Sequence, residues 1–191
     1  MPLCLYIKIE FNYIMNKVYL SDDIFYIENF IDEVDLQPIL SFCQSEEDWN
    51  NWPHSIHFTK KINLDKKIKE VLDRYNDKFL SLIKNNEIMY VPDQVLKYKK
   101  SDDKWALYPH SDRENYSSDN NEIPIYGYVL YLNDDYDGGE IVYTDKNIIL
   151  KPLPGTLLVH ETSEECTHGV KKIISGDRFV MIGFIYSKNP D

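Results

Sequence analysis

The apolar and polar positions in the first half of the chain predict one strand followed by two helices. The run DIFYIENF at 23–30 has the composition of a strand, and Asp32 after it is a residue type that caps helix N-termini. Apolar residues then recur at helical spacing, and Pro38 is compatible with this helix only in its first turn. The recurring positions are Leu36, Ile39, Leu40 and Cys43.

The second helix is indicated by one apolar stripe that faces away from lysines and acids. The stripe consists of Ile68, Val71, Leu72, Tyr75, Phe79, Leu82 and Ile83. Between the two helices, residues 50–63 look irregular and aromatic. We expect His54 and His57 in this segment to be surface or loop-packing residues.

The second half of the chain has a different pattern, a series of short strand-like runs separated by turn signals such as Asp137-Gly138-Gly139 and Pro154-Gly155. The runs are 94–100, 126–133, 139–144, 147–152, 156–161, 168–173 and 178–186. Many short strands without intervening helices predict an antiparallel sandwich or jelly roll. With two helices packed on the larger sheet, the predicted fold class is α+β.

Composition limits the size of the protein and the partners it could have. The 191 residues are 43% hydrophobic, which suits a single domain with a sizeable core. A net charge of −11 argues against a protein that follows nucleic-acid phosphates, because such proteins need a basic face. No apolar run approaches the roughly 20 residues of a membrane span. We therefore expect neither a nucleic-acid nor a membrane partner.

Cysteine usage and the start of the chain point to the cytoplasm. Residues 1–15 are apolar in places but include charged residues, which predicts an opening strand or an extension, not a signal peptide, with Met1 or Met15 as the natural start. Alanine occurs once, a composition typical of A/T-rich genomes such as those of some bacteria, phages and large viruses. The expected location is therefore the cytoplasm of a bacterium or of a virus- or phage-infected host. The three cysteines are widely spaced and fit a reducing compartment: Cys4, Cys43 and Cys166.

The candidate chemistry begins with His110 and Asp112, which share a face if the chain there is extended. This short motif alone is more often a polar loop. With His168, however, it completes the two-histidine, one-carboxylate set that leaves three positions of an octahedral Fe(II) open. Zinc also accepts such ligands, so the set does not by itself choose the metal.

Arg178 is the second candidate, since it begins the apolar run RFVMIGFIY. A guanidinium entering a buried strand needs a partner. A dicarboxylic cosubstrate would supply one through a bidentate pair, and Asp177 or a surface acid is the alternative.

These residues lie in segments that together resemble the Fe(II)/2-oxoglutarate-dependent dioxygenases, most closely the prolyl 4-hydroxylase group. The segments are HSD at 110–112, LYLNDDYDGGEIVY at 130–143, LKPLPGTLLVHE at 150–161 and THGVKKIISGDRF at 167–179. The resemblance covers nearly all of 94–187 and extends more weakly to IFYIENFIDEVDLQPIL near the start. It implies a double-stranded β-helix, with a catalytic core at about 94–187 and a supporting N-terminal part at about 18–93.

The resemblance also implies roles for five residues. His110, Asp112 and His168 would hold Fe(II), Arg178 would bind the distal carboxylate of 2-oxoglutarate, and Tyr98 would hydrogen-bond to that cosubstrate. The expected reaction is hydroxylation of an unactivated C–H bond with O₂, with ascorbate as a candidate reductant. The expected substrate is a prolyl residue in a peptide or protein. The alternatives are a free amino acid or small metabolite, or a metal-binding jelly roll without catalysis.

The remaining polar candidates are expected to be structural. We interpret His160, at the end of a predicted strand, as a buried histidine with satisfied hydrogen bonds, because the ligand set is complete without it. Cys166 is two residues before His168 but is expected to be an inert buried thiol.

Overall fold

The computed structural model describes residues 16–51, 57–61, 66–82, 87–89, 94–114 and 122–188. The predictions for residues 1–15 and for His54 lie outside these ranges, as does the side chain of His57. The described residues contain helices α1 (Glu33–Ser45) and α2 (Lys66–Leu80) and a one-turn 3-10 helix (Glu164–Cys166). The strands are β1 (Lys17–Ser21), β2 (Ile24–Ile27), β3 (Asn50–Asn51), β4 (His57–Lys61), β5 (Glu87–Met89), β6 (Gln94–Tyr98), β7 (Trp105–His110), β8 (Glu122–Tyr131), β9 (Asp137–Gly138), β10 (Ile141–Tyr143), β11 (Ile148–Leu150), β12 (Leu157–Glu161), β13 (His168–Lys171), β14 (Ile173–Ser175) and β15 (Arg178–Lys188).

Two antiparallel sheets form the body of the protein. The major sheet has the order β1-β2-β12-β8-β15-β6-β4-β3, with β5 also paired to β15. The minor sheet has the order β11-β10-β13-β7, and β9 and β14 form a separate pair. Neighbours in these sheets are mostly distant in sequence, which is the connectivity of a jelly roll and not of simple hairpins. The predicted α+β class and double-stranded β-helix are confirmed.

The major sheet separates two apolar clusters because side chains alternate along each strand. One face packs against α1 and α2, where Tyr128, Leu130 and Met181 meet the buried stripe of α2. The other face, with Tyr131 and Val180, closes over the minor sheet. The helices therefore support the sheet from outside, and the space between the sheets is left for a site.

The start of α1 confirms the predicted cap and also joins the two helices. Asp32 accepts a hydrogen bond from the backbone N–H of Asp35 through Oδ1 at 3.1 Å. Its Oδ2 accepts a second one from the hydroxyl of Tyr75 on α2 at 2.9 Å. One carboxylate thus satisfies a free N–H at the helix terminus and anchors the neighbouring helix.

The prediction that Pro38 lies in the first turn of α1 is wrong. The helix begins at Glu33, so Pro38 lies in the second turn, where it removes the hydrogen bond to the carbonyl of Val34. Val34 is 81% exposed, so this face of the helix lies in solvent and water can reach the freed carbonyl.

Several strands were not expected from the sequence, and β4 and β7 are the longest strands of that kind beside the site. β4 lies within 50–63 and pairs with β6, and β7 lies in the stretch between Tyr98 and His110. Each is a short strand whose apolar residues do not alternate cleanly, so its partner strand stabilises it more than its local pattern does. None of the helices in the described ranges is long and apolar enough to cross a membrane.

Candidate metal centre

The structure brings the three predicted ligands together at one end of the interior between the sheets. His110 is the last residue of β7, Asp112 lies in the turn that follows, and His168 is the first residue of β13. One nitrogen or oxygen from each side chain lies within 4.8 Å of the other two. Because β7 and β13 are paired, with His110 opposite His168, the sheet register itself sets the spacing of the histidines.

Backbone carbonyls orient both imidazole rings. Nδ1 of His110 lies 2.9 Å from the carbonyl oxygen of Tyr108, and Nδ1 of His168 lies 3.0 Å from that of Cys166. A carbonyl only accepts, so Nδ1 carries a proton in each ring and Nε2 of each ring faces the cluster. This second hydrogen bond is typical of histidines that bind metals.

Asp112 uses its two oxygens differently. Oδ1 faces the histidines, at 3.4 Å from Nε2 of His110 and 4.0 Å from Nε2 of His168. Oδ2 points away and lies 3.0 Å from Nε2 of His160. The centre therefore presents two nitrogens and one carboxylate oxygen toward a common point.

The protonation states of His168 and Asp112 suit metal binding, while at His110 the contacts with Asp112 and Tyr108 outweigh burial and raise the pKa above its usual value. Burial, with a contribution from His160, lowers the pKa of His168 to about 3, so that its ring is neutral at pH 7. Burial of Asp112 would raise its pKa, but hydrogen bonds with His110 and His160 outweigh this effect and keep the pKa well below its usual range. A neutral imidazole and an ionised carboxylate are the ligand forms that a divalent metal requires.

Cys166 does not join this set. Its backbone oxygen contacts His168, while its buried side chain lies in the apolar cluster between the sheets. Burial raises the pKa of its thiol to about 11, so the thiolate that a metal would need is disfavoured. The prediction that Cys166 is buried is confirmed. A nitrogen- and oxygen-only set remains, which suits Fe(II).

Arg178 is also buried, with 1% of its surface exposed. Its guanidinium carbon lies 4.8 Å from the ring centre of Tyr98 and 5.1 Å from that of Tyr131. Among the described residues, its Nε and Nη1 have no hydrogen-bond partner, nor do the buried hydroxyls of Tyr131 and Tyr136. Asp177, the alternative partner considered from the sequence, instead lies 3.0 Å from Lys97.

These free donors fit an anionic ligand. Buried guanidinium nitrogens without a hydrogen-bond partner are costly, and a carboxylate can accept two hydrogen bonds from them at once. Burial raises the pKa of Tyr131 to about 12, so its hydroxyl stays protonated and can donate to the same anion. The donor set around Arg178 therefore matches the distal carboxylate of a dicarboxylic acid.

Asn133 positions Arg178 from outside the pocket. Its Oδ1 accepts a hydrogen bond from the backbone N–H of Phe179 at 2.8 Å, and its Nδ2 donates to the carbonyl of Asp177 at 2.7 Å. These two contacts are with the residues on either side of Arg178. Asn133 therefore adds to the strand pairing that holds the start of β15 and, with it, the direction of the guanidinium.

One cavity of about 80 Å³ connects the metal cluster with Arg178. Its wall includes Tyr98 and His160 as well as the three ligand candidates. Five residues of the cavity wall were predicted from the sequence: Tyr98, His110, Asp112, His168 and Arg178. Tyr131, Tyr136, Asn133 and Gly127 were not predicted to act here, although Gly127, Val129 and Tyr131 share one face of β8 by simple alternation.

The chain is similar to known proteins in its sequence profile and in its fold. The sequence profile described as the 2OG-Fe(II) oxygenase superfamily matches residues 94–186. Prolyl 3-hydroxylase 2 from Mus musculus is 36% identical over 58 residues, which are 28% of this chain and 8% of the mouse protein. The chain thus matches only a small part of that relative's length.

Two solved structures share the fold at low sequence identity. A prolyl-4-hydroxylase from Pseudomonas putida aligns with a TM-score of 0.67 and 17% identity, covering 88% of this chain and 94% of that one. A prolyl hydroxylase from Trichoplax adhaerens, in complex with a hypoxia inducible factor peptide fragment, aligns with a TM-score of 0.65 and 18% identity over 88% and 84% of the two chains. The matched profile spans all five predicted site residues, so this part of the chain, residues 94–186, is similar to the 2OG-Fe(II) oxygenase superfamily.

Proposed function

We propose that this protein is an Fe(II)- and 2-oxoglutarate-dependent dioxygenase that hydroxylates a prolyl residue in a peptide or protein. The observation that carries the proposal is the presence, in one cavity, of a His110–Asp112–His168 cluster and a buried guanidinium with two unpartnered nitrogens. A metal site alone would need only the first feature. The second calls for an anion that reaches the metal.

Each residue has a defined task in this proposal. His110, Asp112 and His168 bind Fe(II), and Arg178 binds the distal carboxylate of 2-oxoglutarate with Tyr98 and Tyr131 against its guanidinium. Iron with 2-oxoglutarate and O₂ supplies the oxidising power for C–H hydroxylation, with succinate and CO₂ as the other products. The apolar wall, including Leu96 and Val180, keeps bulk water from the reacting groups.

The size of the cavity favours a peptide over a free metabolite. At about 80 Å³ it is far below the roughly 300–1,000 Å³ of pockets that enclose a whole ligand. The side chain of His110 keeps 28% of its surface exposed at the mouth, so a residue that projects from a larger molecule can approach the metal centre from outside. The prolyl hydroxylase relatives support a prolyl ring as the projecting group.

The proposed division of the chain follows from the packing. We assign catalysis to residues 94–187, and assign residues 18–93 to a support that includes α1, α2 and the outer strands of the major sheet.

The spacing of the cysteines supports a cytoplasmic location. We propose ascorbate as the reductant of the enzyme, so activity should be assayed with ascorbate present.

The reaction class is tested by anaerobic titration with Fe(II) and 2-oxoglutarate. We expect the visible charge-transfer band that forms when this acid chelates iron, and we expect His110→Ala to abolish it. Absence of the band in the wild-type protein would refute the proposal. A protein that binds the metal but forms no succinate in air would instead be a metal-binding jelly roll without catalysis.

The substrate is tested by succinate release with different acceptors. We expect proline-containing peptides to stimulate succinate release and free proline to leave it near the uncoupled rate. Mass spectrometry should then find a gain of one oxygen atom on a prolyl residue. Stimulation by a free amino acid alone would assign the protein to the small-metabolite alternative.

A further inference from the structure

We propose that His160 is a positioning residue of the metal centre: it holds Oδ2 of Asp112, so that Oδ1 alone is presented to the metal. This inference rests on the proposed function, because it takes Asp112 as a ligand. His160 is not needed as a ligand itself, since the cluster of three is complete without it. Its role follows from the contacts on its two ring nitrogens.

A hydrogen-bonded chain fixes the ring of His160. An ionised Asp112 only accepts, so the 3.0 Å contact requires the proton to be on Nε2 of His160. Nδ1 is then an acceptor, and the hydroxyl of Tyr143 donates to it at 2.9 Å. His160 is 1% exposed and Tyr143 is fully buried, so water does not compete for either contact.

Gly127 makes room for this contact. On the paired strands β8 and β12, Gly127 lies opposite His160. A Cβ at position 127 would lie 2.5 Å from Oδ2 of Asp112 and 2.9 Å from Nε2 of His160. Both distances are below those that carbon atoms tolerate, so the absence of a side chain is what lets the carboxylate and imidazole meet.

The consequence concerns the number of open positions on the metal. If Oδ2 is engaged by His160, Asp112 binds through one oxygen and three positions of an octahedral ion stay open. If Oδ2 were free, the carboxylate could bind through both oxygens and would occupy one of these positions. Chelation by 2-oxoglutarate and binding of O₂ need all three.

The inference is tested by titrating the apoprotein with Co(II), whose visible spectrum reports coordination number and whose binding needs no turnover. We expect His160→Leu to weaken Co(II) binding by about 10–100-fold and to alter the visible bands, as removal of a ligand's supporting partner does. His160→Gln restores a donor to Oδ2 and should recover most of the affinity and the wild-type spectrum. Recovery by Gln separates positioning from general packing.

Thr162→Val is the matched control. Thr162 lies two residues after His160, and its hydroxyl donates a buried 2.6 Å hydrogen bond to the carbonyl of Pro124. The substitution removes this bond and leaves the contact between His160 and Asp112 in place. We expect its Co(II) affinity to equal that of the wild type. If His160→Leu does not fold, Tyr143→Phe takes its place. Without the Tyr143 hydroxyl, the proton of His160 is free to move from Nε2 to Nδ1. We expect Tyr143→Phe to weaken Co(II) binding as well.

Equal Co(II) affinity and spectra for wild type and His160→Leu would overturn this inference alone, as would an equal loss in Thr162→Val. Wild-type protein that binds no Co(II) would overturn both this inference and the proposed function. If His160→Leu lowers Co(II) affinity but the wild-type protein never forms succinate, the result would support this inference and refute only the proposed function.

Discussion

His110 and His168 lie directly opposite each other on neighbouring strands of the minor sheet, although they are far apart in sequence. Across the interior, Arg178 and Tyr98 form an equivalent pair on neighbouring strands of the major sheet. Each half of the site is thus set by one register position. A shift of one residue in either pairing would turn its side chains to the opposite face.

Arg178 should control cosubstrate binding without controlling metal binding. We expect Arg178→Met, which keeps much of the volume between the two tyrosine rings, to weaken 2-oxoglutarate binding about 100-fold or more. Arg178→Lys should fall between Met and wild type, because lysine retains the charge but not the bidentate geometry. Fe(II) affinity, measured without cosubstrate, should be unchanged. Equal loss of metal and 2-oxoglutarate would contradict separate roles.

Asn133 should affect the same binding step indirectly. Replacing it with Ala leaves the backbone N–H of Phe179 without its partner and frees the start of β15. We expect weaker 2-oxoglutarate binding and a loss of about 1–3 kcal/mol in the free energy of unfolding, the cost of an unsatisfied buried donor. Isothermal titration and urea denaturation measure the two effects. A stability loss with unchanged cosubstrate affinity would leave Asn133 with a structural role alone.

Gly127→Ala should damage the metal centre more than the fold. The added methyl group overlaps Oδ2 of Asp112, so we expect the carboxylate to move and Fe(II) affinity to fall at least about tenfold. Circular dichroism should show an intact sheet, because alanine is compatible with a strand. Unchanged Fe(II) affinity in Gly127→Ala would contradict the prediction that the added methyl group displaces the Asp112 carboxylate.

The stability of the helical layer should depend on Asp32. Asp32→Ala removes both the N-cap of α1 and the contact with Tyr75, and we expect the free energy of unfolding to fall by about 1–2 kcal/mol. Asp32→Asn retains an N-cap side chain and should lose less. Urea denaturation followed by fluorescence measures the difference. No change in either variant would show that the cap contributes nothing to stability.

Burial should protect two thiols from alkylation. It raises the pKa of Cys166 to about 11 and that of Cys43 to about 12, so at pH 8 both are protonated and slow to react. Site-resolved mass spectrometry after iodoacetamide treatment should find them modified only on unfolding. Because the folded-state pKa values are raised, these thiols favour folding below the unfolded value near 8.5 and lose that contribution as pH rises toward 11. Rapid labelling of Cys166 in the folded protein would contradict this.

Local patterns were enough for much of the fold. The stripe of α2, the Asp32 cap and most strands of the second half depend on side-chain periodicity and short-range hydrogen bonds, which neighbouring residues determine. Arg178 was identifiable because a charged group that enters an apolar run needs a partner, and His110, Asp112 and His168 because together they form a two-histidine, one-carboxylate ligand set. β4 and β7 were missed because pairing with other strands, and not local alternation, stabilises them.

The sequence alone determined which residues are available for chemistry and on which kind of element each one lies. Only the tertiary structure decided that Lys97, and not Arg178, pairs with Asp177, and that His160 meets Asp112 beside Gly127. These contacts depend on which strands lie opposite each other and in which register. That choice is made by packing across the whole sheet, so no local stretch of sequence contains it.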